Sequence, residues 1–309
     1  MSRTVFTALL LLAASHSTAA AAQSDPEVRF EVRGQDDDYV QLRIRRNDWE
    51  DNGSWNQRIA LADLKGMTRA DIGRDGPVSF AYVRPAGRFD CRGKAQDGWA
   101  NGSCTLTVNE AFDKYLADHK IERPKRYQYF SLTMSGVDSD VIDALVREGL
   151  GTPTIDQLVG LGVFRITPDF IRDMAHINGF KVAIRDLVQF KIFKITPESV
   201  RAYAALGYRN LGSNDLVTFS IHRITPDYLR ELADLGYRDV PAQMLVQMRI
   251  FGVTPTYIRS MRERTGEKLS PEALVKRRLT GMAPRTDWAR TWQRDWRGPF
   301  DRDRRNRRD

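Results

Sequence analysis

Four arginines stand at one spacing: Arg172, Arg201, Arg230 and Arg259 follow one another by 29 residues. A guanidinium is permanently charged and carries a planar fork of donors that matches carboxylate and phosphate. A row of four therefore points to the binding of an acidic partner rather than to a reaction. In three of the copies an acid sits three residues earlier, as Asp169, Glu198 and Asp227. That spacing allows pairing along one helix, and such pairs contribute only about 0.2–0.5 kcal/mol each. The row thus has two readings, a set of local ion pairs or a basic strip. Duplication of one ancestral unit would preserve either.

Other residues able to do chemistry are sparse. After residue 22 the histidines are His119, His176 and His222, and none has a second His or Cys at metal-ligand spacing. There is no His-Glu-x-x-His, no nucleophile elbow and no phosphate loop. His222 occupies the place of Phe164, Phe193 and Phe251 in the 29-residue frame, so a partly buried helix position is expected of it. The sequence predicts no catalytic residue, no metal site and no cofactor.

Cys91 and Cys104 flank Gly93 to Gly98, a stretch of hairpin-turn composition. Apolar residues alternate on either side, Val78, Phe80 and Tyr82 before, Leu106 and Val108 after. A cross-hairpin disulfide is the expectation, and closing such a loop contributes about 3 kcal/mol in the chain-entropy model. The alternative, a metal or catalytic thiol pair, has no histidine between residues 17 and 118 to support it. The compartment agrees with a disulfide. Residues 1–22 read as a signal peptide, with Arg3, an apolar run from Val5 to Ala14 and the small residues Ala20-Ala21-Ala22. The run is too short to span a membrane, and no cysteine near the cleavage site offers a lipid anchor. An exported, periplasmic protein is expected.

These residues must be positioned by a repeat. Leu-Val recurs at Leu158-Val159, Leu187-Val188, Leu216-Val217, Leu245-Val246 and Leu274-Val275, each 29 residues after the last. Thr-Pro recurs at the same interval at Thr167, Thr196, Thr225 and Thr254. The frame extends back to Asp138 and Asn109, so six repeats fill 109–282, and a seventh start at 283 runs into the tail. Each repeat reads as two short helices. Thr supplies the N-cap and Pro the first helical position. Ile166, Ile195, Ile224 or Val253 before it is placed for a hydrophobic staple. Glycine stops the first helix at Gly149, Gly179, Gly207, Gly236 and Gly266, with Leu150, Phe180, Tyr208 and Tyr237 following four of them. The second helix carries Leu-Val and ends near the cations Arg165, Lys194 and Arg223. One such hairpin buries too little to fold alone, so neighbours must stack.

Residues 23–108 alternate in strand fashion, as in Val28-Phe30-Val32 and Val40-Leu42-Ile44, with turn signals at Asn52-Gly53, Asp75-Gly76-Pro77 and Asn101-Gly102. An antiparallel β domain of about five or six strands, running without a linker into the first repeat, is expected. Residues 283–309 form a cap and tail. Within 285–309 there are nine arginines and five aspartates, a net +4 that is half of the chain's +8. Trp288, Trp292 and Trp296 lie four apart and share one stripe if helical. That stripe reads either as a cap on the last repeat before a disordered end, or as a segment lying on an anionic membrane or lipopolysaccharide surface. Nucleic acid is a poor fit, since half the excess charge is in the tail and no recognition module is visible.

The pattern from Ile224 to Tyr237 (Ile-Thr-Pro-Asp-Tyr-Leu-Arg-Glu-Leu, then Leu-Gly-Tyr), followed by Leu245 to Pro255, resembles helical-hairpin repeats of bacterial envelope proteins. It is also similar to repeats appended to membrane metallopeptidases of the BlaR1-like antibiotic-sensor type. The segments around Gly76 to Phe80 and Gly102 to Leu106 are similar to the β region preceding such repeats. The resemblance covers roughly 27–282 and implies a role in envelope sensing or regulation. It carries no catalytic residue across, because the zinc motif and membrane helices of the peptidase are missing. The expected fold class is α+β, a small antiparallel β domain followed by an α-solenoid-like array. The expected role is non-catalytic binding of a protein partner through the repeat surface. The alternatives are an anionic envelope component held by the tail and the arginine row, and an enzyme of unknown class.

Overall fold

The structure, a computed structural model, describes residues 27–47, 53–179 and 181–282. The signal-peptide reading, Phe180 and the tail with Trp288, Trp292 and Trp296 lie outside these residues. The fold is α+β. Strands β1 (Glu27–Gly34), β2 (Tyr39–Asn47), β3 (Ser54–Ala60), β4 (Leu64–Lys65), β5 (Gly76–Arg84), β6 (Gly87–Gln96) and β7 (Trp99–Val108) form an antiparallel sheet of order β3-β2-β1-β7-β6-β5-β4. The described strands number seven, rather than five or six, because β4 is a two-residue strand too short to leave a pattern. A short helix, α1 (Arg69–Gly73), also interrupts the strands. Thr68 and Asp71 close its capping box, a local signal that strand alternation overshadows.

Alternation sets the two faces of the sheet. Val28, Phe30, Val32, Val40, Leu42 and Ile44 are buried, and Phe30 meets Phe80 edge-on at 4.9 Å. A Cβ on Gly102 would stand 2.2 Å from the Arg92 carbonyl oxygen and 2.8 Å from the Phe30 ring, so only glycine fits there. Asp97 (φ 52°) and Gly98 (φ 78°) form a tight left-handed turn between β6 and β7, narrower than the Gly93 to Gly98 stretch. Cys91 and Cys104 are joined across these two strands, with a sequence separation of 13.

The helices follow: α2 (Glu110–Asp118), α3 (Arg126–Ser135), α4 (Ser139–Arg147), α5 (Ile155–Val163), α6 (Pro168–Ala175), α7 (Ile184–Ile192), α8 (Pro197–Ala205), α9 (Ser213–Ile221), α10 (Pro226–Asp234), α11 (Ala242–Ile250), α12 (Pro255–Thr265) and α13 (Pro271–Met282). The even-numbered ones are the first helices of the repeats. All six expected starts are N-caps whose side chain accepts a backbone N–H: Asn109, Asp138, Thr167, Thr196, Thr225 and Thr254. Second helices pack in order on one another, α3 on α5, α5 on α7, α7 on α9, α9 on α11 and α11 on α13. Among first helices α4 packs on α6, α8 on α10 and α10 on α12, while α8 meets the 3-10 turn Ile177–Gly179 that follows α6. Leu158, Leu187, Leu216, Leu245 and Leu274 lie buried between the two layers in one core.

The junctions between repeats are the tightest features. The N–H of Ile166, Ile195, Ile224 and Val253 donates to a carbonyl five residues back, at 2.9, 2.8, 2.8 and 2.7 Å. This is the Schellman closure of the second helix. The residue before each bond is left-handed: Arg165 (φ 49°), Lys194 (φ 53°), Arg223 (φ 52°) and Gly252 (φ 67°). The cations at these helix ends therefore hold a backbone conformation that an L side chain adopts at a cost.

The described residues fall into two compact units. One contains the sheet through Tyr82 together with Asp90–Thr105; the other contains Val83–Phe89 together with the chain from Leu106 onward. The tip of the β5–β6 hairpin thus belongs with the helices. Its Pro85 and Ala86 carbonyls accept from Asn109 Nδ2 (2.8 Å) and N (3.1 Å), and Ala86 joins the helical core. A solenoid end must be covered, and here a β turn covers it.

Two outcomes follow. Leu216→Ala should lower unfolding free energy by about 2–4 kcal/mol, whereas Arg223→Gly should raise it by about 0.5–1 kcal/mol by relieving the left-handed strain; urea denaturation checks both. Tyr203 donates to the Ile224 carbonyl (2.7 Å) and Tyr228 to that of Val253 (2.9 Å). Burial pushes both phenols from 10.0 up to about 12. The folded state holds these protons more tightly, so their contribution is complete below pH 10 and is lost as pH rises towards 12. Phenolate absorbance against unfolding by circular dichroism should show the two events together in that window.

Candidate functional site

The arginine row occupies one register position on α6, α8, α10 and α12. Arg172 pairs with Asp169 (2.7 Å) and Asp173 (3.3 Å), Arg201 with Glu198 (2.9 Å) and Arg230 with Asp227. Arg259 has Thr256 where the others have an acid, and turns instead to Glu231 of the preceding repeat at 3.9 Å. All four side chains are more than half exposed, yet each already faces a carboxylate. Pairs this exposed are worth little for stability, but they cancel the field that an acidic partner would meet.

The second helices present a different row. Val163, Ile192, Ile221, Ile250 and Leu279 are 29 residues apart and are 44%, 49%, 55%, 55% and 47% exposed. Each is the residue four places after a half-buried or buried valine of the Leu-Val pair. Through α9 and α11 their neighbours at helical spacing are uncharged: Asn214, Thr218, Gln243 and Gln247. A shallow groove of about 400 Å³ runs between these helices, lined by Asp215, Thr218, Ala242, Gln243, Val246 and Gln247 among others.

A third row fastens the repeats. Lys191 lies over Phe170 (4.2 Å), Arg249 over Tyr228 (4.8 Å) and Arg278 over Tyr257 (4.0 Å). Arg249 Nε also donates to the His222 carbonyl (3.0 Å) and Arg278 Nη2 to that of Gly252 (3.0 Å), each at the end of the preceding second helix. In the repeat starting at 196 both partners are serine, Ser199 and Ser220. Ser220 keeps the carbonyl bond, to Phe193 at 2.6 Å, and Tyr203 and Tyr208 pack edge-on to Phe219 instead. The paired exchange of cation and aromatic, 21 residues apart, is visible in the sequence once repeats are aligned.

No protein-family model matches this chain, and no curated protein matches it. Its chemistry is read from its own geometry.

Each of the three described histidines is the C-cap of a helix, of α2, α6 and α9. His119 stacks on Tyr115 (4.2 Å), its Nδ1 meets the Tyr115 carbonyl (2.9 Å) and its Nε2 lies 3.4 Å from Asp143. Tyr115 donates to Asp143, and burial with that carboxylate raises its phenol far above the ordinary range. His176 Nε2 is 2.8 Å from Glu148, and His222 is the partly buried C-cap of α9. Among the described residues no group of three or more His, Cys, Asp or Glu is arranged to hold a metal ion.

The β unit carries one further surface. The phase of β1 and β2 opposite the core carries Arg29, Glu31 and Arg33, then Tyr39, Gln41, Arg43 and Arg45. Arg29 stands directly opposite Arg45 across the strands, and Glu31 opposite Arg43. Strand alternation marks this basic face as clearly as it marks the core, since it is the other half of the same pattern.

Replacing Arg249 by methionine keeps its stem but removes the carbonyl bond and the contact with the Tyr228 ring. Stability should fall by about 1–2 kcal/mol, and hydrogen exchange at the C-terminal end of α9 should accelerate relative to α5.

Proposed function

We propose that this is an exported, non-catalytic binding protein that holds a protein partner along the outward face of its second helices. The observation that carries this reading is the periodic exposure of Val163, Ile192, Ile221, Ile250 and Leu279. Single exposed aliphatic residues are ordinary on protein surfaces, but an aligned row is the composition of an interface. Interface cores are depleted of charge and keep uncharged polar neighbours, which Asn214, Thr218, Gln243 and Gln247 supply. Burying one such side chain on binding contributes about 1–1.5 kcal/mol, so several rungs together outweigh what any neutralised arginine pair offers.

The arginine row is the weaker candidate because its own carboxylates already satisfy it. A periplasmic location is proposed from the signal-peptide reading of residues 1–22 and from the Cys91–Cys104 disulfide, which suits an oxidising compartment. Among the described residues no helix is long and apolar enough to cross a membrane. The resemblance to envelope repeats points towards sensing or regulation.

Site-specific photo-crosslinking in intact cells tests the reading. A photoreactive residue in place of Ile221 should capture a protein that the same residue in place of Arg230 does not. That product should vanish in an Ile221→Glu/Ile250→Glu background and persist in Arg172→Glu/Arg230→Glu. Capture from position 230 alone, or a product indifferent to the isoleucine changes, would overturn it.

A further inference from the structure

We infer that the outward face of the sheet, around Arg29, Arg33, Arg43 and Arg45, is a second binding site, and that its ligand is an acidic polysaccharide chain. This site lies in the β unit and does not rest on the reading of the helical repeats. Its cations form a grid rather than a point. Arg29 and Arg33 are two residues either side of Glu31 on β1, Arg43 and Arg45 follow on β2, and Arg29 faces Arg45 directly. Same-face neighbours along a strand are about 6.8 Å apart and adjacent strands about 4.8 Å. Such a grid matches the repeat of an extended polyanion, not one small ion. Like charges directly opposite one another, as Arg29 and Arg45 are, destabilise a sheet, and among the described residues Arg45 makes no ion pair. A bound anion would offset that repulsion.

The surroundings select the class of polyanion. A shallow depression of about 380 Å³ on this face is lined by Arg29, Glu31, Arg45, Trp99 and Asn101 among others. Asn101 and Ser103 add neutral donors and acceptors suited to hydroxyl groups, while Gln41 donates to Asn56 beside them. The aromatic faces are already covered, Trp99 by Arg33 at 4.5 Å and Tyr39 by Arg58 at 3.8 Å. Stacked bases of a single-stranded nucleic acid would need those faces free. The outward phase of β1 and β2 contains no aliphatic side chain to enter a bilayer, so a membrane surface is also disfavoured. Asn101 and Ser103 on β7 stand opposite Glu31 and Arg29 of β1, and the Cys91–Cys104 bond ties β7 to β6 on its other side.

The test uses the full chain against immobilised polygalacturonate, with neutral dextran, oligo(dT) and phosphatidylglycerol vesicles as the other arms. Polygalacturonate should retain the protein and dextran should not. Arg43→Ser/Arg45→Ser should weaken retention about tenfold, Arg43→Lys/Arg45→Lys should restore most of it, and Ile221→Glu/Ile250→Glu should leave it unchanged. Raising salt to about 0.5 M should abolish it. If the serine pair lowers the melting temperature, Arg45→Ser alone at a matched folded fraction decides. Equal retention of wild type and serine variants overturns the proposal. So does binding that appears only with oligo(dT) or only with vesicles.

Discussion

The helical array depends on one aliphatic residue per junction. Ile166, Ile195, Ile224 and Val253 are each buried, and each does two things at once. Its N–H closes the second helix of one repeat, and the Thr that follows it caps the first helix of the next. A slip of one residue would break a closure, unseat a cap and expose an aliphatic side chain together. The cost of such a slip is several kcal/mol, comparable to the whole stability of a small domain. Periodicity in the sequence becomes periodicity in space through this junction.

Locked at that point, the repeats display two rows of opposite chemistry. On the first helices charge dominates, but the acid three residues before Arg172, Arg201 and Arg230 cancels it locally. On the second helices the row is apolar, and nothing on the same helix can cancel exposed hydrocarbon. A local ion pair is satisfied by its own turn, whereas a hydrophobic rung is satisfied only by another molecule. That asymmetry, rather than the number of charges, distinguishes the two faces.

Much of the array was legible because its signals are local. A Thr, Asp or Asn cap acts within one turn, and Leu158, Leu187, Leu216, Leu245 and Leu274 repeat their burial faithfully. The second helices are harder to place, since their starts share no chemistry: Lys125, Thr154, Ala183, Gly212, Pro241 and Ser270 all precede one. Exposure of Ile221 or Ile250 is not legible either. The same residue type at helical spacing from Leu-Val reads as core, and only the stacking of neighbouring helices shows which side stays open. The left-handed Arg165, Lys194 and Arg223 were visible as helix-end cations, but backbone sign leaves no mark in residue type unless the residue is glycine, as at Gly252. The basic sheet face was present in the alternation of β1 and β2, where attention to the buried phase conceals the exposed one. The hairpin tip at Pro85 and Ala86 was beyond reach, because its role depends on a partner far along the chain.

The apolar row also measures length. Second helices that pack side by side are about 8–10 Å apart, so five rungs, four intervals, mark a strip of about 32–40 Å. Gain or loss of one 29-residue unit would lengthen or shorten that strip by one rung while leaving every junction chemically unchanged. The array is in this sense a ruler: duplication changes the length of the exposed apolar strip without redesigning any junction.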